Sequence, residues 1–239
     1  MKSAWSGFKA IVVKDLVIEL RARQVLPTMI VLGMLIVFIL RLVSEPSSGR
    51  VEMPMMAAAA LWIAFLFSGL LAQERSFGVE QQNGCIDGLW SAPLDAGTVY
   101  LAKLLANVVI LSIFEMVIVP AVLLSFSLRV TARWLDLVIV LALGNLGISS
   151  VGTLFSAVVQ LTRTRGALLS IVVLVVLMPM LIPASFALLV LFGAMPEEVA
   201  GSGAMAFVGS FRVAQGYLLA FDAVFVVACW LLFGVVVEE

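Results

Sequence analysis

Six long apolar segments constrain this chain more than any other feature of its sequence. Each approaches the ~20 residues that a helix needs to cross the hydrocarbon core of a bilayer. Hydrocarbon offers the backbone no hydrogen-bond partners, so spanning segments of this length fold as helices. The fold class that we expect is an all-α integral membrane protein with one transmembrane domain over residues 1–239. We predict spans at 27–43, 55–72, 100–124, 135–159, 167–192 and 213–237.

Composition excludes several classes of function. Hydrophobic residues make up 63% of the chain, charged residues 12%, and the net charge is −1, so no basic field favours a nucleic-acid partner. The chain has no histidine, no GxxxxGK[ST] phosphate-binding loop and only two cysteines. The usual zinc ligands and the usual general base are therefore missing. We expect a protein without enzymatic activity that binds no metal or cofactor directly.

The N-terminal segment, residues 1–26, is predicted to be a helix that lies along the membrane surface. Its five basic residues recur throughout the segment, unlike the charge pattern of a signal peptide. Apolar residues recur at helical spacing between these charges, which favours an interfacial helix with an aromatic end that dips into lipid. These residues are Trp5, Phe8, Val12, Leu16 and Leu20.

Residues 73–99 interrupt the apolar pattern with charges, three glycines and Pro93, so this segment is predicted to lie at a membrane face. Ile86, Leu89 and Trp90 have the i, i+3, i+4 spacing of a short amphipathic helix. The next helix would start at Asp95 as its N-cap. An ordinary solvated loop is one interpretation, and a docking surface for a soluble partner is the other. The docking residues would be Glu74, Arg75, Glu80, Asp87, Ile86, Leu89 and Trp90.

Lysine and arginine counts predict the orientation. With six spans and the N-terminus inside, nine of the 14 basic residues lie on the inner side and five on the outer side. Because positive residues accumulate on the cytoplasmic side, residues 73–99 are expected to face the cytoplasm.

Polar residues within the spans are the remaining candidates for function. A carboxylate in hydrocarbon is costly unless it is protonated, paired or hydrated, so Glu115 in the third span is conspicuous. The alternative role for Glu115 is structural, as a hydrogen bond to Asn145, Ser149 or Ser150. We expect Asp222 to lie near the outer headgroups.

Other residues predict how the helices are shaped and packed. Pro120, Pro179 and Pro183 are expected to bend their helices, and the last two to break the fifth span. Gly152 and Ser156 have the spacing of a close helix contact. Residues 193–212 are predicted to form a re-entrant or broken helix on the outer side. Interfacial anchoring is expected for Trp62, Trp90, Trp134 and Trp230.

Two functions from different classes fit these features. One is the permease subunit of an ATP-driven transporter, whose partner holds the nucleotide. The other is a membrane assembly scaffold that transports nothing.

A series of short motifs, taken in their order and spacing, is specific enough to compare with a known family. They are Leu61-Trp62-Ile63-Ala64, Glu74-Arg75, Gly84, Asp87, Leu89, Ser91, Pro93-Leu94, Ala102-Lys103-Leu104-Leu105, Pro120, Leu143-Gly144, Arg165-Gly166 and the Pro179 to Pro183 stretch. Through these motifs the sequence resembles, over roughly residues 8–192, the haem exporter B (CcmB) family, the membrane subunit of the cytochrome c maturation transporter. The fourth span differs, since the family often has Gly-Thr-Pro where this chain has Gly144-Asn145-Leu146.

The resemblance implies an ABC-2-type exporter fold with a cytoplasmic coupling helix between spans two and three. It implies the ATP-binding subunit CcmA at the cytoplasmic face, CcmC and CcmD in the membrane, and two permease copies in a complex of the bacterial inner membrane. The implied task is to couple ATP hydrolysis to release of the haem-loaded chaperone CcmE. Haem would be handled by the complex, with ATP on the partner. Export of another amphiphile is the alternative.

Overall fold

The computed structural model describes residues 2–22, 24–44, 52–82, 95–128, 133–162, 166–197 and 209–238. Within these ranges the chain forms seven α-helices. They are α1 (Lys2–Ala22), α2 (Val25–Ser44), α3 (Glu52–Gln82), α4 (Ala96–Ser125), α5 (Trp134–Thr162), α6 (Gly166–Leu191) and α7 (Phe211–Glu238).

The prediction of six membrane spans is confirmed. Helices α2 to α7 each contain a stretch of 20 to 30 residues that is long and apolar enough to cross a membrane. Helix α1 carries more charge and packs against α4. The chain is therefore an all-helical, multi-pass membrane protein.

Helix α3 does not end where the apolar pattern ends. Its apolar stretch covers Met53–Glu74, but the helix continues to Gln82, well into the segment that we expected to interrupt it. Glutamine, glutamate and arginine are good helix formers, and no proline occurs between Glu74 and Pro93. The last eight residues extend α3 by ~12 Å beyond its apolar stretch.

The prolines do not interrupt their helices. Helix α4 continues through Pro120, and α6 continues through both Pro179 and Pro183. The prediction of a broken fifth span is therefore wrong, although a bend of the axis stays a prediction. Helices of a membrane bundle tolerate proline because neighbouring groups compensate the missing hydrogen bond. Helix α6 is held on both sides of its prolines by buried side chains, which are Leu177 before them and Ala184, Phe186 and Leu188 after them.

Residues 193–212 lie mostly outside the described residues. The described part, up to residue 197, is a set of turns with Gly193 at a φ of 74°. Helix α7 already begins at Phe211, so the last two residues of the predicted re-entrant segment belong to α7.

Helices α3 and α5 form the centre of the bundle. Of the residues in their most apolar stretches, 61% and 72% are buried, against 17–44% in the other four spanning helices. Helices α2 and α7 lie at the periphery, where outward-facing residues such as Phe38 and Leu231 are more than half exposed. These faces are apolar, as a surface in contact with lipid tails must be.

At two glycines, an aromatic side chain from an adjacent helix packs directly against the helix backbone. The Trp62 ring packs against Gly144 of α5, where an added Cβ would lie 2.7 Å from a ring carbon. The Phe114 ring packs against Gly33 of α2, where a Cβ would lie 2.8 Å from the ring. Phe65 stands between these rings, edge-to-face with both. Trp62 is only 3% exposed, so our prediction that it anchors at the interface is wrong.

A glycine substitution tests this packing. We expect Gly144→Ala to lower the free energy of unfolding by roughly 1–3 kcal/mol, because the new methyl group overlaps the Trp62 ring. Thermal unfolding of the purified chain in detergent measures the change.

The matched control is Gly216→Ala on α7, where an added Cβ meets nothing within 4 Å. We expect this variant to unfold at the same or a higher temperature, since alanine favours the helix. Equal losses in both variants would contradict the packing of Trp62 on Gly144.

Candidate functional site

A buried ion pair joins α1 to α4. The Lys103 side chain is fully buried, and its Nζ lies 3.0 Å from Oδ2 of Asp15, which is 12% exposed. The contact is an ion pair by distance but lacks the angle of a directed hydrogen bond. The other Asp15 oxygen lies 3.3 Å from Nζ of Lys14 at the surface. A buried ammonium group requires such a partner, so the pair fixes where α1 sits on the bundle.

A buried cluster of mostly apolar side chains joins four helices, including the two that carry the ion pair. Ile11 of α1, Tyr100 of α4, Leu154 of α5 and Phe233 of α7 belong to one buried cluster. The Tyr100 hydroxyl donates a hydrogen bond to the carbonyl of Ser150, 3.2 Å away. The start of α4 is therefore attached to α1, α5 and α7 within two helical turns.

Further along, α4 and α5 are joined by a chain of polar side chains that we call the polar seam: Asn107, Ser112, Asn145, Ser149 and Thr153. The Asn107 amide donates to Thr153 Oγ1 at 2.9 Å, and the Asn145 amide donates to Ser112 Oγ at 3.0 Å. Between them, the Ser149 hydroxyl donates to Asn145 Oδ1 at 3.2 Å. Interhelical hydrogen bonds of this kind are a main source of helix association in lipid.

Glu115 lies at the end of the polar seam, three residues beyond Ser112. The Asn145 amide is its polar neighbour. That amide already donates to Ser112 Oγ and to the carbonyl of Val108. Oε1 of Glu115 is buried without a hydrogen-bond partner among the described residues. The structure thus places Glu115 and Asn145 together, but leaves the carboxylate only partly satisfied.

Asp222 lies in the interior of the bundle, whereas its depth near the outer headgroups stays a prediction. The residue is 4% exposed, and neither carboxylate oxygen has a hydrogen-bond partner among the described residues. Its Oδ1 lies 2.9 Å from the place where a Cβ of Gly147 would be, and the Met180 sulfur packs at the same glycine. Helical spacing explains the position, because Ala214, Leu218 and Asp222 form one buried stripe of α7.

The two intramembrane carboxylates do not form a common site. Asn145 and Gly147, the α5 residues next to Glu115 and Asp222, are two positions apart and therefore ~200° apart around the helix. The carboxylates thus flank α5 on different sides.

The predicted docking residues divide between described and undescribed parts of the chain. Glu74 is exposed, near the end of α3. Arg75 and Glu80 lie on the extension of α3 beyond its apolar stretch. Ile86, Asp87, Leu89 and Trp90 lie outside the described residues. Asp95 occupies the N-cap position of α4, but its carboxylate makes no capping bond, and its carbonyl accepts from Thr98 and Val99 instead.

Gln73 is a residue of the interior that sequence reasoning missed. Its side chain is buried on Gly152, where Nε2 donates to the carbonyl of Ile148 at 3.1 Å. The Ser156 hydroxyl donates to the Gln73 backbone carbonyl. The spacing of Gly152 and Ser156 was the only sequence signal for this contact. It predicted that another helix approaches α5 closely there, but not which helix or residue.

Sequence reasoning missed the ion pair as well, because no local pattern links Lys103 to Asp15, 88 positions away. We expect Lys103→Met to lower the free energy of unfolding by about 3–5 kcal/mol, because it leaves Asp15 without its buried partner. The double variant Lys103→Met with Asp15→Leu should regain most of that loss. Thermal unfolding in detergent measures both, and a double variant no more stable than Lys103→Met would contradict the pairing.

Comparison with known proteins identifies the family. The model of the family described as "CcmB protein" matches residues 6–229. The curated protein "Heme exporter protein B" of Haemophilus influenzae is 32% identical over 129 residues, which are 54% of this chain and 58% of that protein. The alignment thus spans little more than half of the relative's length. The family model covers nearly the whole chain, which confirms the resemblance seen in the sequence: this chain belongs to the CcmB protein family.

Proposed function

We propose that this chain is the membrane subunit of an ABC transporter for cytochrome c maturation, where it couples ATP hydrolysis by a partner to haem handling. The observation that carries the proposal is the family match over residues 6–229. A relative described as a heme exporter also supports it. The sequence has no nucleotide-binding loop of its own, so the energy must come from a partner such as CcmA.

Force would enter at the connection between α3 and α4. Helix α3 extends past its apolar stretch to Gln82, and α4 begins at Ala96, so the segment between them is attached to long helices at both ends. A push on residues 83–94 would therefore act along both helix axes. An ATPase that closes on binding nucleotide supplies such a push.

The contacts of α4 would carry the movement into the bundle. Its first four turns hold Lys103, paired with Asp15 of α1, and Asn107, bonded to Thr153 of α5. Helix α3 is attached to α5 through Gln73 and Ile148. Helices α3 and α4, on either side of the connection, thus both contact α5, the most buried helix. Helix α1 would move with α4 because the ion pair joins them.

Haem would be cargo of the complex rather than a resident cofactor of this chain. The sequence contains no histidine, and no group of three His, Cys, Asp or Glu residues forms within the described ranges. Axial ligands would then come from other subunits. We propose that CcmC and CcmD lie beside a pair of these permeases. The ATP-driven movement of the helices would release haem-loaded CcmE on the outer side of the inner membrane.

The docking prediction is tested by Leu89→Ala with Trp90→Ala. We expect this double variant to lose co-purification with CcmA, because apolar residues of the amphipathic segment would fill a groove of the ATPase. The control is Trp134→Ala, which removes a half-exposed tryptophan at the start of α5, outside the segment. If CcmA is retained at the level of the control, the docking proposal fails.

Glu115 is tested by Glu115→Gln, which keeps the shape of the side chain and removes its charge. We expect cytochrome c assembly to fall at least tenfold while co-purification of CcmA stays unchanged, since Glu115 would act in the bundle rather than in docking. Met116→Leu, at the exposed neighbouring position, is the control. Full assembly with Glu115→Gln would assign Glu115 a purely structural role.

A further inference from the structure

A groove of about 800 Å³ lies between α1 and α4. Trp5 and Phe8 form its α1 wall, and Leu105 and Val108 belong to its α4 wall, with Leu146 of α5 beside them. Among the residues that the structure describes, Thr98 is the one hydroxyl side chain of the lining, and the others are apolar or aromatic. Trp5 is 61% exposed and Leu105 is 41% exposed, so the groove opens outward from the bundle.

The length of the groove matches one leaflet of a bilayer. Along α4 the lining runs from Thr98, in the first turn of the helix, to Val108. Ten residues of helix span ~15 Å, which is half of the ~30 Å hydrocarbon core. The groove therefore starts at the edge of the apolar region and ends near its middle, as an acyl chain does.

A cation stands at the α1 wall of the groove. Lys9 follows Phe8 directly, and its Nζ lies 5.2 Å from the centroid of the Trp5 ring. Trp5 and Phe8 are stacked, with ring centroids 5.6 Å apart. Lys14 has Asp15 as its partner, whereas Lys9 has no carboxylate within 4 Å among the described residues. The position suits a negatively charged headgroup.

We propose that this groove binds a phospholipid of the surrounding bilayer, with its acyl chains along α4 and its anionic headgroup at Lys9. Haem fits the lining poorly, because tryptophan, phenylalanine, threonine, leucine and valine offer iron no imidazole, thiolate or thioether ligand. The bound lipid would fill the space between α1 and α4 at the N-terminal part of α1, about two helical turns from the Asp15–Lys103 ion pair.

The headgroup contact is tested on the full chain, purified alone and delipidated in detergent. Native mass spectrometry measures retention of phosphatidylglycerol and of phosphatidylcholine with the same acyl chains. We expect phosphatidylglycerol to be preferred about fivefold, the contribution of one basic residue near anionic lipid. Lys9→Gln should abolish this preference. Arg21→Gln, the same change at an exposed position at the other end of α1, should keep it.

The groove itself is tested by filling it. Leu105→Trp should lower bound phosphatidylglycerol about tenfold, whereas Met116→Trp, at a position 76% exposed on the same helix and outside the lining, should leave it unchanged. Leu101→Trp is a second groove variant in case the first unfolds, and circular dichroism shows which variants are folded.

Three results would overturn the proposal. They are equal retention of the two lipids by the unmodified chain, equal loss in folded groove and control variants, and groove-dependent haem binding that phosphatidylglycerol does not displace. Since CcmA and the other subunits are absent from this experiment, failure of the proposed transport function would not alter its outcome.

Discussion

The interior of a bilayer offers no hydrogen-bond partners, and this constraint orders the bundle around α5. The hydrogen bonds of the polar seam, of Gln73 and of Tyr100 converge on this helix. Asn107 and Ser112 reach it from α4, Gln73 reaches it from α3, and Tyr100 donates to its backbone. Because hydrogen bonds made away from water have no competing solvent, they set which faces of the helices meet. The high burial of α5 follows, since three sides of it carry groups that must be covered.

The buried ionisable side chains of the bundle differ in whether they have a partner of opposite charge. Lys103 is neutralised by Asp15, and the pair holds an otherwise peripheral helix against the bundle. Glu115 and Asp222 receive no comparable partner from the described residues. Unsatisfied carboxylates inside a membrane bundle are costly to keep, and they are concentrated where function requires them. Their positions on different sides of α5 place both next to the helix on which the contacts of α3 and α4 converge.

The proposed ATP-driven movement and the proposed lipid site both involve α1 and α4. Lys103 holds the middle of α1 through Asp15, and the groove opens at the N-terminal part of the same helix, at Trp5 and Phe8. A helix supported partly by protein and partly by lipid can shift with α4 without exposing a buried charge, because the ion pair moves with both helices. If both proposals hold, this arrangement would give the N-terminal helix a mechanical role, whereas its sequence alone indicates only surface attachment.

The sequence by itself determined the six spans, because apolar length is a local property that any window of the chain displays. It also marked Glu115 and Asn145, since a polar residue is conspicuous within an apolar run. It could not decide which side of a helix faces the protein when every side is apolar, so the burial of Trp62 and Asp222 became evident only in the folded bundle. Nor could it pair Lys103 with Asp15, which are 88 positions apart. Local pattern fixes whether a segment crosses the membrane, whereas rotation about its axis and choice of neighbour depend on contacts that exist only after the helices have packed.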